Sequence, residues 1–187
     1  MNTKFYFFRH GDAYPDTLEN IQFPLTPLNE RGIRLAEKLR GRIKKIKSKN
    51  VIIISSPYQR SLDTMRIAAK GLKANPLILE ELKEIGSDFW PNPDTVTLRN
   101  IEEPKSYQGC SLNVLRTFDK LWLKYKGKTV LIFTHGNWIR CLISSLMGSG
   151  WGGFSKLVIS LASVTVIESD EYGEPLISTV SETAHLL

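Results

Sequence analysis

Arg9 and His10, two residues that could bind and attack an anion, stand side by side near the start of the chain. They follow four aromatic residues at 5–8, a run that is too short for a helix and rich in strand formers, which predicts a buried central strand. Ligands of open α/β sheets are held at the carboxyl ends of the strands. An Arg-His pair there predicts an anion site that contains a nucleophile, although such pairs also flank strand ends without any function.

Two later strand ends carry similar residues. The apolar run at 51–54 leads into the hexapeptide SSPYQR, which ends at Arg60, and the run at 128–133 leads into Thr-His-Gly with His135 at its centre. Arg60 falls in the first turn of a predicted helix, where the free N–H groups and the helix dipole disfavour a cation. This conflict indicates an anion bound at Arg60; the alternative is an exposed arginine that the helix start tolerates.

Alternating strands and helices must position these residues. Thr26 and Ser56 are the predicted N-caps of the first two helices, Ser56 as part of a capping box with Gln59, and Leu112 is expected to face the core from the third helix. The alternation predicts an α/β fold, a three-layer α/β/α sandwich with a mainly parallel central sheet, as one domain over 1–187. Strands are predicted at 5–8, 51–54, 76–79, 128–133, 157–168 and 174–181, and helices at 27–47, from 57 onward, at 111–126 and at 137–147.

The net charge of +6 is concentrated in one segment, because residues 31–49 hold nine Lys/Arg and one acidic residue. A strongly basic helix face is one kind of nucleic-acid site. No aromatic residues are interleaved in this segment, so a solvated helix face is favoured and no nucleic-acid partner is expected.

The two cysteines, Cys110 and Cys141, lie far apart and match no metal-ligand spacing. They are expected to be reduced thiols, and no metal site is predicted. No apolar run approaches the roughly 20 residues needed to span a bilayer, and no signal-peptide pattern opens the chain. A cytoplasmic location without a membrane partner is therefore expected, and the oligomeric state is not predicted.

The three strand ends together carry a family resemblance. Phe-Arg-His-Gly at 8–11, SSPYQR at 55–60 with Thr64 following, and Phe-Thr-His-Gly at 133–136 resemble the three motifs of the histidine phosphatase superfamily, which includes the phosphoglycerate mutases. The resemblance implies a phosphoglycerate mutase-like fold of the phosphatase branch and a reaction without metal or cofactor. It also implies that His10 is transiently phosphorylated and that the phosphoryl oxygens are held by Arg9, Arg60, His135 and Gly136.

A leaving alcohol needs a proton, which members of the family commonly take from an acid after the third strand. The resemblance implies that Glu84, in the segment 82–86, is this acid, since it matches the family position best. A carboxyl group that faces a phosphate would also have a raised pKa, which suits a general acid. The usual Trp-Glu-Gly just downstream is absent, so Glu81 and Asp88 remain rivals, and a solvated loop carboxylate is the alternative. Asp16 stands where the mutases carry an Asn, and a carboxylate there would repel a bound phosphate.

We therefore expect a phosphomonoester hydrolase that acts on a small phosphorylated metabolite through a phosphohistidine. One alternative is mutase-type phosphoryl transfer between phosphoglycerates. Another is a phosphatase of protein phosphohistidine or phosphoserine, and a third is a binding module without activity. The loops at 12–24 and 85–108 are expected to determine substrate specificity, but their sequences do not indicate which substrate is bound.

Overall fold

The computed structural model describes residues 2–14, 23–48, 51–86, 89 and 102–187. Its strands are β1 (Lys4–Arg9), β2 (Val51–Ser55), β3 (Leu77–Ile78), β4 (Thr129–Thr134), β5 (Val164–Ser169) and β6 (Pro175–Glu182). Within the described ranges they form one sheet in the order β3-β2-β4-β1-β5-β6. The pairings among β1 to β4 are parallel, whereas β5 and β6 add an antiparallel side. The predicted mainly parallel sheet is confirmed.

Helices cover both faces of this sheet. One face carries α1 (Glu30–Lys44) and α2 (Gln59–Ala68), and the other carries α3 (Tyr107–Lys124), α4 (Gly136–Leu146) and α5 (Gly150–Phe154). In β1 the rings of Phe5 and Phe7 pack with Phe118 of α3, whereas Tyr6 and Phe8 join the opposite cluster. A central strand buried on both faces needs apolar side chains at consecutive positions, which explains the aromatic run.

The register of the sheet brings three strand ends together. Arg9 at the end of β1 pairs with Thr134 at the end of β4, and Ser55 at the end of β2 pairs with Phe133. Because the three strands are parallel neighbours, the residues that follow them lie side by side at the carboxyl end of the sheet.

The first helix begins later than the sequence predicts. Thr26 is not its N-cap: α1 starts after Asn29, whose side chain accepts a hydrogen bond from the Gly32 N–H. Residue Leu28 instead forms an isolated antiparallel bridge with Ala13, and the Asn29 N–H donates to the Asp12 carbonyl at 3.1 Å. Leu28 and Asn29, which were expected in the first turn of the helix, therefore bind the loop that follows His10.

The predicted N-cap of the second helix is also wrong. Tyr58, not Ser56, is the N-cap of α2, and no side chain caps it. The predicted capping box does not form, because the Gln59 side chain donates to Asp63 at 2.6 Å. Arg60 nevertheless lies in the first turn of α2, as predicted.

The C-terminal half differs from the prediction in three places. α3 begins at Tyr107, earlier than expected, and the side chain of Leu112 is 48% exposed instead of facing the core. The short helix α5 was not predicted. The predicted strand at 157–168 is β5 only from Val164 onward, because 157–163 form a loop at the carboxyl end of the sheet.

No helix among the described residues is long and apolar enough to cross a membrane.

Candidate active site

His10 follows β1 directly and is buried, with 2% of its surface exposed. Its Nδ1 lies 2.7 Å from the carbonyl oxygen of Gly11, and its Nε2 lies 3.2 Å from Nε of Arg60. A carbonyl can only accept and a guanidinium can only donate, so both contacts require the same tautomer. That tautomer carries its proton on Nδ1 and leaves a lone pair on Nε2.

The environment keeps His10 uncharged. Burial, followed by the nearby guanidiniums of Arg60 and Arg9, holds the pKa of His10 well below its ordinary value, and the bond to Gly11 opposes this only partly. A neutral imidazole with an oriented second nitrogen is a competent nucleophile near neutral pH.

A close approach of two glycines fixes the backbone around His10. A Cβ at Gly11 would lie 2.6 Å from the Gly32 carbonyl oxygen, and a Cβ at Gly32 would overlap the Asp12 carbonyl. The Gly11 N–H also donates to Oγ1 of Thr64 at 2.9 Å, and that hydroxyl donates to the Arg60 carbonyl at 2.7 Å. Thr64 thereby links the loop after β1 to the first turn of α2.

Arg60 reaches His10 from the start of α2 and is 2% exposed. Its Nη1 donates to the Phe23 carbonyl at 3.1 Å, and its Cζ lies 5.0 Å from the ring centroid of Tyr58. Burial lowers the pKa of Arg60, but an arginine stays protonated at neutral pH. The helix start therefore presents a buried cation beside the nucleophilic nitrogen.

Arg9 is the last residue of β1 and directly precedes His10. Its Nη1 donates to the Ile159 carbonyl, and its Nε has no hydrogen-bond partner among the described residues. Gly136 lies against this guanidinium, because a Cβ there would be 3.1 Å from Nε of Arg9. A side chain at position 136 would therefore require the Arg9 guanidinium to shift by a few tenths of an ångström. Direct contact between Gly136 and a phosphate stays a prediction.

His135, in the third motif, is the N-cap residue of α4 and is fully buried. Its Nε2 lies 2.8 Å from Oγ of Ser56, and its ring centroid is 5.1 Å from that of His10. Its Nδ1 is buried without a hydrogen-bond partner among the described residues. Burial keeps the pKa of His135 well below its ordinary value, followed by the repulsion that a protonated His10 would exert and by the charges of Arg60 and Arg9.

Glu84 approaches the same cluster from the loop after the 3-10 turn Glu80–Leu82. Its carboxylate accepts hydrogen bonds from the N–H groups of Ile85 at 3.2 Å, Trp138 at 3.3 Å and Asn137 at 3.5 Å. Burial raises the pKa of Glu84, although the bond from Ile85 and the charges of Arg9 and Arg60 act in the opposite direction. The side chain is therefore a candidate acid that also caps the first turn of α4.

The rival carboxylates differ in position. Glu81 is exposed, and its carbonyl, not its side chain, accepts a bond from the Trp138 indole at 2.8 Å. Asp88 and Asp16 lie outside the described residues, and Asp12 pairs with Arg31 at 3.2 Å on the surface. Within the described ranges, no three His, Cys, Asp or Glu side chains are grouped so that they could hold a metal ion.

Sequence reasoning assigned Ser56 a capping role and missed its contact with His135. The hydroxyl accepts from the Tyr58 N–H at 3.3 Å, and the Tyr58 ring centroid lies 5.2 Å from that of His135. The serine does follow a buried strand directly, as His10 and His135 follow theirs. That shared position was the signal available in the sequence.

Comparison with known proteins places the chain in a family. Residues 5–182 match the histidine phosphatase superfamily (branch 1). The chain belongs to this superfamily. Arg9, His10, Arg60, Glu84 and His135 all fall within the matched region.

The individual relatives share only about a quarter of their residues with this chain. The chain is 25% identical over 201 residues to the Bifunctional protein Rv2228c of Mycobacterium tuberculosis, covering 98% of this chain and 55% of that protein. It thus spans about half the length of the curated relatives it matches. Among solved structures, phosphoserine phosphatase from Entamoeba histolytica in complex with 3-phosphoglyceric acid has a TM-score of 0.78 at 24% identity, covering 99% of this chain and 100% of that one. Bacillus stearothermophilus YhfR has a TM-score of 0.81 at 23% identity, with the same coverage.

Proposed function

We propose that this chain is a phosphomonoesterase that acts through transient phosphorylation of His10 and hydrolyses a small phosphorylated metabolite. The observation that carries the proposal is the lone pair on His10 Nε2, oriented by Gly11 and lying 3.2 Å from the Arg60 guanidinium. A nucleophile beside a forked cation fits phosphoryl transfer, in which positioning and charge neutralisation supply most of the catalysis.

In the first step, the Arg60 N–H that donates to Nε2 of His10 turns to a phosphoryl oxygen, and the freed lone pair attacks phosphorus as the bond from phosphorus to the leaving oxygen breaks. Arg9 and Arg60 donate to the phosphoryl oxygens. We assign the Ser56 hydroxyl as the donor to Nε2 of His135, and this assignment puts the proton of His135 on Nδ1, where it is a further donor to the phosphoryl group. Glu84, in its protonated form, gives its proton to the leaving oxygen.

In the second step, water attacks the phosphorus and the P–N bond breaks. Glu84, now a carboxylate, takes the proton from this water, so that phosphate leaves and His10 regains its lone pair. The same group thus acts first as acid and then as base, as microscopic reversibility requires of a shared site.

The substrate class is supported by the relatives. The Entamoeba histolytica protein is named a phosphoserine phosphatase, and its structure holds 3-phosphoglyceric acid. Both names describe small phosphorylated acids, which supports a metabolite instead of a protein as the substrate here. The cytoplasmic location stays a prediction.

Replacement of the nucleophile tests the proposal. His10→Asn is expected to lower hydrolysis of p-nitrophenyl phosphate by at least about 1,000-fold, because the attacking lone pair is lost. Tyr172→Asn, on an 80% exposed residue beside β6, is the control and is expected to match the wild type. Rapid quenching of the wild type should also reveal a phosphoryl group on His10. Undiminished activity of His10→Asn would contradict the mechanism.

A substrate panel separates the alternatives. It includes phosphoserine, sugar phosphates, nucleotides, a phosphoserine peptide and a phosphohistidine protein, and the largest kcat/KM is expected for a small metabolite. Phosphoryl transfer from a bisphosphoglycerate to a monophosphoglycerate is measured in parallel. Transfer that outpaces hydrolysis would favour a mutase.

A further inference from the structure

The segment 159–163, between α5 and β5, contacts Arg9 and His10 of the first motif. The Ile159 carbonyl accepts from the Arg9 guanidinium, and the Ser163 carbonyl accepts from the Arg9 N–H at 3.3 Å. The Ala162 N–H donates to the His10 carbonyl at 3.1 Å. One short segment therefore fixes the backbone of the nucleophile and the direction of the neighbouring cation.

This segment is in a conformation that it does not prefer by itself. Ala162 has a φ of 53°, in the left-handed region that residues with a Cβ rarely adopt. Such a residue persists only where the surrounding structure holds it. Something outside the segment must therefore stabilise Ala162.

The supporting group is His185, in the C-terminal 3-10 turn Ala184–Leu186. Its Nε2 lies 3.0 Å from the Ala162 carbonyl oxygen, and its Nδ1 lies 3.4 Å from a carboxylate oxygen of Glu182. The other carboxylate oxygen of Glu182 accepts from Nε of Arg42 in α1 at 3.0 Å. The imidazole is 5% exposed and so has little freedom to turn away.

Both ring nitrogens of His185 face acceptors, a carbonyl and a carboxylate. A carbonyl can only accept, so the contact with Ala162 requires a proton on Nε2. The contact of Nδ1 with Glu182 holds the ring in place, and the Nε2–H is directed at Ala162. A second contact supports the same segment, because the Ser160 N–H donates to Oγ of Ser181 at 2.8 Å.

We infer that His185 is a positioning residue for catalysis, which holds the 159–163 segment in the conformation that orients His10 and Arg9. The role rests on the proposed function, because it acts through the proposed nucleophile and phosphate-binding cation. His185 itself touches neither substrate nor the reacting atoms.

A pair of amide substitutions isolates the bond to Ala162. The side-chain nitrogen of Gln can take the position of Nε2 and still donate to Ala162, whereas that of Asn reaches only the position of Nδ1, toward Glu182. His185→Asn is expected to lower kcat for p-nitrophenyl phosphate about tenfold or more with a smaller change in KM, because small displacements of reacting groups are costly. His185→Gln is expected to recover activity to within about threefold of the wild type.

Trp122→Phe is the matched control. It removes the same kind of bond, from a ring N–H to the Gly173 carbonyl at 3.2 Å, at the opposite end of the sheet. Hydrogen exchange of the Ala162 amide is measured in all variants and is expected to accelerate in His185→Asn alone.

Equal activity and equal Ala162 exchange in the Asn, Gln and Trp122→Phe variants would overturn the inference. A wild type without phosphatase activity would instead refute the proposed function, and the Ala162 exchange rates would still decide whether His185 holds the segment.

Discussion

At the scale of a single residue, the pKa of the Glu84 carboxyl group is set by effects that oppose each other. Burial raises its pKa, whereas the Ile85 N–H and the two guanidiniums of the site stabilise its charged form. The raised pKa leaves a fraction of the protonated form available, and the hydrogen bonds hold the carboxylate ready as a base. Such a balance suits a group that must donate a proton and then accept one.

Glu84→Gln is expected to slow phosphorylation of His10 by an alkyl phosphate about 100-fold or more, because a poor leaving group needs the proton. With p-nitrophenyl phosphate, a good leaving group, the first step should change much less. In the wild type the alkyl reaction should fall as pH rises through the pKa of Glu84, since only the protonated form is an acid. Pre-steady-state measurements across pH check this.

The exposed Glu81 supplies the control for this substitution. Glu81→Gln should keep the wild-type pH profile for the alkyl phosphate. An unchanged leaving-group dependence in Glu84→Gln would assign the acid to another residue.

At the scale of elements, α1 is important less for its basic outer face than for its first turn. Gly32 in that turn packs against the backbone of Gly11 and Asp12, immediately after the nucleophile. Asn29 caps the same turn and bonds to Asp12, so helix and loop are fixed together. Displacement of α1 would therefore displace His10.

Two glycines of α1 offer a matched pair of substitutions. Gly32→Ala is expected to destabilise the fold and lower kcat/KM. The Cβ of the new alanine would overlap the carbonyl of Asp12, and the backbone at Asp12 cannot easily move away. A Cβ at Gly41 meets nothing within 4 Å, so Gly41→Ala should stabilise the protein by about 0.5–1 kcal/mol through helix propensity. Urea unfolding and steady-state kinetics measure both. A Gly32→Ala variant as stable and active as Gly41→Ala would contradict the close approach.

At the scale of the whole molecule, the sheet concentrates neutral imidazoles and cations in one buried place. His10 and His135 both have pKa values well below their ordinary value of 6.5. In the unfolded chain both would titrate near that value, so below it the unfolded state binds more protons than the folded state. Each histidine therefore contributes stability that is lost as pH falls below about 6.5.

As pH is lowered below about 6.5, the free energy of unfolding is expected to fall by up to about 1.4 kcal/mol per pH unit for each of these histidines. The raised pKa of Glu84 acts in the opposite direction above its ordinary value of 4.5, because the buried charge is then unfavourable. Urea titrations between pH 5 and pH 7.5 on the wild type, His10→Asn and His135→Asn isolate the histidine contribution. Identical pH slopes in the three proteins would show that these imidazoles do not titrate differently on folding.

Structure could be predicted from the sequence where it depends on a local pattern of residues. It could not be predicted where it depends on contacts between residues far apart in the chain. The aromatic run in β1 and the residues after β2 and β4 identified the strands and the candidate site, because a strand buried on both faces must be apolar throughout. The start of α1 could not be predicted from the sequence, since it depends on contacts of Leu28 and Asn29 with residues 12 and 13. The tautomer of His10 likewise depends on the position of Arg60 in space.

The parallel pairing of β1 with β4 has a consequence for synthesis on the ribosome. Residues 4–9 find their neighbours only after residues 129–134 have emerged, and β5 must follow to complete the other side of β1. Contacts so far apart along a chain form slowly, and an unpaired aromatic strand is prone to aggregate meanwhile. A nascent chain should therefore carry β1 as an unpaired aromatic strand, which chaperones would have to cover, until β4 and β5 have also left the ribosome.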